Sequence, residues 1–292
     1  MQSTCREEHF RVPLKALAAM ALLGIFIPSV RAQVSPTRQN SGASAGCEET
    51  LERLPMKDVL RQVCPRTHPT AGKPSVRNAI IVGFVGGFVK HDDLKHPEVN
   101  FAELLGESYP STVHAEVFAN REGDKALRRV LQLVDHDDDG VITAREREQA
   151  NVIIYGHSWG ASETVALARA LGRKGIPVLL TIQVDSVRKP GQEDATIPSN
   201  VKKAINFYQT KGPIHGRSTI RAADPGMTSI LGNIEMTYRT RRINTDNYPW
   251  LARHFNRAHH EIENDPQVWD HIAMLIDSEL STSIETAEAS LH

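Results

Sequence analysis

The pentapeptide Gly156-His157-Ser158-Trp159-Gly160 constrains this chain more than any other feature. An apolar run, Asn151 to Tyr155, precedes it, and a helix-type stretch, Ala161 to Lys174, follows it. Strand, G-x-S-x-G and helix in that order place a serine on a sharp turn above a parallel sheet. Glycines lack a Cβ and let strand and helix approach at a tight bend. A serine so placed lies near a helix N-terminus, whose first N–H groups have no intrahelical acceptor and can stabilise a developing oxyanion. Such a turn calls for an acid, a histidine and a second loop of backbone donors elsewhere in the chain.

The surrounding sequence alternates between two periods. Asn78 to Phe84, Ala115 to Phe118, Asn151 to Tyr155 and Pro177 to Val184 read as buried strands, and Val201 to Tyr208 and Ser218 to Ala223 as a fifth and a sixth. Asn100 to Glu107, Asp124 to Val134, Ser162 to Leu171 and Pro266 to Leu280 read as helices. Alternation of this kind predicts an α/β fold with a mainly parallel central sheet and helices on both faces. Ligands then belong at the carboxyl ends of the strands.

From about Asn78 onward the elbow, and the order and spacing of these elements, resemble the α/β-hydrolase superfamily of lipase- and esterase-like serine hydrolases. The resemblance implies a nucleophile at Ser158, followed in the chain by an acid and then a histidine. Asp185 ends the well-formed strand run Pro177 to Val184 and is the preferred acid; Asp224, after the weaker run Ser218 to Ala223, is the alternative. Candidate bases are His215, His254, His259, His260 and His271. The segment His259-His260-Glu261-Ile262-Glu263-Asn264-Asp265-Pro266 resembles a stretch that some lipase-like hydrolases carry in the loop before the last helix. On that register His259 is the base, with His260 the alternative. The oxyanion donors are expected at Trp159, just after the nucleophile, and at Phe84 or Val85 in the loop Gly83-Phe84-Val85-Gly86-Gly87-Phe88. His91, Asp92 and Asp93 after that loop carry no assigned role.

A second pattern stands ahead of the nucleophile strand. Residues Asp135 to Glu146 fit the EF-hand calcium loop, with Asp135, Asp137 and Asp139 at positions 1, 3 and 5 and Gly140 at the turn. Val141 would offer its carbonyl, Thr143 occupies position 9, and Glu146 at position 12 would bind through both oxygens. Hard carboxylate oxygens suit Ca²⁺ rather than softer metals. No second loop accompanies it, so the expectation is one structural calcium site inserted at 135–146.

The N-terminus reads differently. Arg6, Arg11 and Lys15 precede an apolar stretch, Ala16 to Val30, and then Val30-Arg31-Ala32, the form of a cleavable secretory signal over 1–32. That stretch is shorter than the ~20 residues a bilayer span needs. Residues 33–74 read as a linker and extension, and 75–292 as the hydrolase domain. Cys47 and Cys64 remain after cleavage and suit a disulfide in a secreted or periplasmic protein. The net charge of −1 gives no bulk attraction to nucleic acid or anionic membranes.

The sequence therefore predicts an exported serine hydrolase with a small-molecule or lipid ester as substrate. Thioester, amide and lactone substrates stay open, as do oligomeric state and whether Asp224 to Trp250 is a lid or a surface excursion. The contrasting expectation is a calcium-binding exported protein on a hydrolase scaffold without catalysis.

Overall fold

Strand β1 (Ala79–Val85) is buried at every position, because helices cover the sheet on both faces. Ala79 and Ile81 enter one core, and Ile80, Val82 and Phe84 the other. Strand β3 (Asn151–His157) divides in the same way, with Ile153 and Tyr155 opposed to Val152 and Ile154. Helix α1 (Pro97–Ser108) and the long closing helix α7 (Pro266–Ala289) fill the first core with Phe101, Leu104, Leu105, Trp269, Ile272 and Ile276. Helices α2 (Gly123–Val134) and α4 (Trp159–Gly172) fill the second with Ala126, Val130, Val134, Val165, Ala168 and Leu171. The spacing of these residues is the helical repeat that keeps one stripe against the sheet.

The computed structural model describes residues 79–289, with Asp58 ahead of them, and side chains as far as Ser281. The expected signal segment, the linker and the Cys47–Cys64 pair lie outside the described residues. No helix among the described residues is long and apolar enough to cross a membrane.

Among the described residues six strands form the main sheet, in the order β2 (Val113–Ala119), β1, β3, β4 (Val178–Val184), β6 (Val201–Tyr208) and β8 (Ser229–Glu235). Every neighbouring pair is parallel. The fold class is therefore the expected one, a parallel α/β-hydrolase-type sheet with helices on both faces. From β1 the chain adds β2 on one side and then β3 on the other, so the order reverses between β1 and β3. In open parallel sheets the crevice at that switch point is where ligands bind. The turn after β1 and the elbow after β3 both open there.

Three expectations need correction. The run Ser218 to Ala223 contributes only β7 (Arg221–Ala222), which pairs with β5 (Thr196–Ile197) in a separate two-stranded sheet. The sixth strand of the main sheet is β8, within the segment Asp224 to Trp250 left open between a lid and a surface excursion. It is an edge strand of alternating exposure, carries Gly232 and Asn233, and meets β6 through a register shift, so neither apolar run nor clean period announces it. Finally, the residues before the closing helix are not a loop. They form α5 (Trp250–Phe255) and α6 (Arg257–Glu263), and His259 lies within α6. Part of 224–250 is thus framework: Tyr238 and Arg241 hydrogen-bond the buried Asp265 at 3.0 Å and 2.6 Å.

Candidate active site

Ser158 caps α4 with φ 57° and ψ −123°, a conformation that L-residues seldom adopt. Tight packing imposes it. A Cβ on Gly160 would stand 2.3 Å from the Phe84 carbonyl oxygen, and one on Gly156 would stand 2.7 Å from Gly160 backbone. Both glycines of the elbow are therefore required sterically, since helix α4 rests directly on the ends of β1 and β3. The Ser158 amide donates to the Val184 carbonyl at 3.0 Å and its own carbonyl accepts from Val187 at 3.2 Å, which ties the elbow to the end of β4.

His259 joins the other two predicted groups. Its Nε2 lies 3.0 Å from Ser158 Oγ and its Nδ1 lies 2.6 Å from Asp185 Oδ2. Asp185 is fully buried just past β4. It accepts hydrogen bonds from Gln209 Nε2 at 2.8 Å, from the Gln209 amide at 3.2 Å and from the Gly216 amide at 2.7 Å. Burial alone would raise its pKa. The His259 hydrogen bond and charge, aided by Gln209, outweigh that and hold it below the usual carboxylate value. A Cβ on Gly216 would stand 2.3 Å from the Asp185 carbonyl carbon, so only glycine brings that amide close enough.

The alternatives part from this cluster. Asp224 is exposed and accepts from the Gly226 amide at 2.8 Å within its own turn. His260 stacks on Tyr248 with ring centroids 3.8 Å apart and forms no hydrogen bond through either ring nitrogen. His215 lies against the Gly216 carbonyl, His254 stacks with Trp250, and His271 packs edge-on against Phe207. Of the expected oxyanion donors, Trp159 opens α4, where its amide has no carbonyl one turn back. Phe84 is different. It stands inside β1 in register with both Phe118 and Gly156, and its ring is fully buried, so its amide belongs to the sheet. The turn that follows approaches the serine instead: a Cβ on Gly86 would stand 2.9 Å from Ser158 Cβ. Gly87 beside it has φ +48°. Phe88 is 86 % exposed and packs edge-on against Trp159, a small apolar rim over the crevice.

Behind Ser158 and His259 lies a second polar cluster that the sequence reading left unassigned. His157, the residue before Ser158, stacks against His259 with ring centroids 4.5 Å apart. Its Nδ1 stands 3.6 Å from Glu98 Oε1 and 3.4 Å from Glu263 Oε2. Glu263 Oε1 in turn lies 2.6 Å from His96 Nδ1. Burial pushes His157 down to about 3. Burial also opposes the charged form of His96, but the hydrogen bond and charge of Glu263 raise it to about 9. Glu98 is raised by burial and by the charge of Glu263. Burial would raise Glu263 as well; the imidazoles of His157, His260 and His96 reverse this and hold it low. His157 stands in the elbow motif and Glu263 in the segment that supplied His259, so both were in view; His96 and Glu98 carried no signal.

The acidic loop is partly assembled. Carboxylate oxygens of Asp135, Asp137 and Asp139 all lie within 4.8 Å of one another. Asp135 Oδ2 accepts from the Gly140 amide at 2.8 Å, and Gly140 has φ +82°. Thr143 and Glu146 form a capping box at the start of α3 (Ala144–Gln149), and Glu146 Oε1 accepts from the His136 amide at 2.7 Å. Those hydrogen bonds, from Thr143 first, hold Glu146 at about 2. Val141 is 64 % exposed.

No family model matches the chain, and no curated protein matches it. Solved structures do. A structure described as an arylesterase is 8 % identical, with 78 % of this chain and 91 % of that chain covered at a TM-score of 0.41. The thioesterase RedJ from the prodiginine biosynthetic pathway in Streptomyces coelicolor is 10 % identical, covering 82 % and 98 % at a TM-score of 0.33. RedJ with a PEG molecule bound in its active site is 11 % identical, covering 61 % and 89 % at a TM-score of 0.32.

Proposed function

We propose that this chain is an exported serine hydrolase that cleaves carboxylic esters. The observation that carries the reading is one histidine placed between a serine and a buried carboxylate, at 3.0 Å and 2.6 Å, with the serine on a strained elbow at the sheet's switch point. A hydroxyl is a weak nucleophile until a neighbouring base takes its proton. His259 Nε2 accepts the Ser158 proton as Oγ attacks the ester carbonyl, and Asp185 holds the Nδ1–H and the resulting positive charge. The Trp159 amide and the Gly86–Gly87 turn hold the oxyanion. The imidazolium then protonates the departing alkoxide, leaving an acyl group on Ser158. Water attacks that acyl group with His259 again taking the proton, and the acid and the free serine are released.

The test is labelling by a fluorophosphonate probe together with turnover of a graded series of acyl esters. Wild-type protein should label stoichiometrically, and Ser158→Ala should abolish labelling and lower kcat by at least about 10⁴-fold. Labelling that survives in that variant sinks the assignment. An unlabelled but folded wild type would favour the reading of a calcium-binding protein without catalysis.

The acidic loop belongs to the same proposal. Three clustered carboxylates around a glycine turn offer the hard oxygen donors that suit Ca²⁺. Asp135, Asp137 and Asp139 would hold the ion, with Val141, Thr143 and Glu146 completing the set. Bound Ca²⁺ would brace the connection from α2 to β3, the strand that carries Ser158.

A further inference from the structure

We propose that His96, Glu98, His157 and Glu263 bind one divalent cation of the zinc class directly behind Ser158 and His259. Three elements converge on the point. His96 caps α1, Glu98 stands in its first turn, His157 ends β3 and Glu263 ends α6. The side chains are 13 %, 0 %, 3 % and 3 % exposed, in that order. Nδ1 of His96 and carboxylate oxygens of Glu98 and Glu263 all lie within 4.8 Å of one another, and His157 Nδ1 faces both acids.

Ion pairing accounts for only half of the cluster. His96 and Glu263 satisfy each other. Both oxygens of Glu98, in contrast, are buried with no hydrogen-bond partner. A carboxyl group left so, whether ionised or not, loses the hydrogen bonds water would supply. A cation at the centre of the group supplies the missing contact. The donor chemistry then selects its class: two imidazoles and two carboxylates suit Zn²⁺ or its neighbours, not Ca²⁺ or Mg²⁺. The spacing agrees. Donors on a tetrahedral ion with bonds of about 2.1 Å stand about 3.4 Å apart. The separations from His157 Nδ1 to Glu98 and Glu263 are 3.6 Å and 3.4 Å. On binding, His96 exchanges its 2.6 Å hydrogen bond with Glu263 for the ion and becomes the fourth ligand. Two carboxylates then cancel the charge of the ion, and two neutral imidazoles complete it. The ion would pin α1 and α6 to the residue that precedes the nucleophile.

The test uses the full chain, purified without a metal-affinity tag and stripped with a strong chelator. Added Co²⁺ should bind at one equivalent with the intense visible bands of a four-coordinate site, and Zn²⁺ should displace it. Glu98→Gln should weaken Zn²⁺ binding on the order of 100-fold, whereas Asp139→Asn in the acidic loop should leave it unchanged. His96→Asn, at the partly exposed rim, is the second variant should Glu98→Gln not fold, with weakened Zn²⁺ binding and altered Co²⁺ bands expected. Only the weak bands of a six-coordinate ion in folded wild type, or Zn²⁺ affinity unmoved in the folded variants, overturns the proposal.

Discussion

The acidic loop at 135–146 and the cluster of His96, Glu98, His157 and Glu263 gather carboxylates in opposite ways. The loop draws its acids from one short run of sequence and leaves Asp137 and Asp139 exposed. The cluster draws its members from three distant segments and buries all of them but His96, which stands at its rim. Water can solvate the first group, so its repulsion is mild and an ion is optional for folding. The second is largely closed to water, so the charges on its buried acids must be met by protein or by a cation. The two regions should therefore respond differently to the same kind of substitution.

The largest contrast should come from removing one charge in each. Glu263→Gln leaves His96 and His157 without their shared acid and should cost about 3 kcal/mol, a fall in Tm of about 6–12 °C for a domain of this size. Asp139→Asn in calcium-free buffer should move Tm by no more than about 1 °C. Thermal unfolding of the two variants side by side checks this. Equal effects would mean that burial does not separate the two regions.

That same difference decided what could be read in advance. Contiguous features were legible: the elbow at 156–160, the strand runs of β1, β3 and β4, the aspartate that follows β4 and the acidic loop all sit within single stretches of local pattern. The choice of His259 over His260 came from a resemblance in the segment that follows, and the geometry sets the two apart, because only His259 faces Ser158 and Asp185. Features that depend on where distant segments meet were not legible. β8 is an edge strand without an apolar run, and its place beside β6 follows from the sheet. Phe84 stood both at the end of the expected strand and in the expected glycine-rich loop; β1 extends through Val85, and the turn begins at Gly86. Glu98 and His96 gave no signal at all, since one acid and one histidine two residues apart mean nothing until β3 and α6 arrive beside them.

Calcium should sharpen the contrast at an intermediate scale. Extracellular calcium modules bind with dissociation constants near 10⁻⁴ M, so ~10 mM Ca²⁺ should raise Tm by about 5 °C or more over protein in EGTA. The rise should vanish in Asp135→Asn and persist in Glu98→Gln, whose substitution lies in the other region. Calorimetric titration gives the stoichiometry independently. An unchanged Tm in wild type, with no heat of binding at millimolar supply, would leave the loop as a solvated turn and remove calcium from the proposal.

The smallest effect isolates repulsion within the loop itself. Partial desolvation, the neighbouring Asp139 charge and that of Glu146 push the Asp137 carboxyl above its ordinary pKa. A carboxyl raised by folding costs stability while it is ionised, and that cost disappears as pH falls through its folded pKa. At neutral pH and without calcium, Asp137→Asn removes the charge and should raise Tm slightly, by no more than about 1 °C. With calcium present the sign should invert, because the variant has lost a ligand and its Tm should fall below that of the calcium-bound wild type. Thermal unfolding of wild type and variant in EGTA and in Ca²⁺ gives four values, and the crossing of the two pairs is the expected signature. Parallel shifts would show that Asp137 acts through the fold of the loop and not as a ligand through its charge.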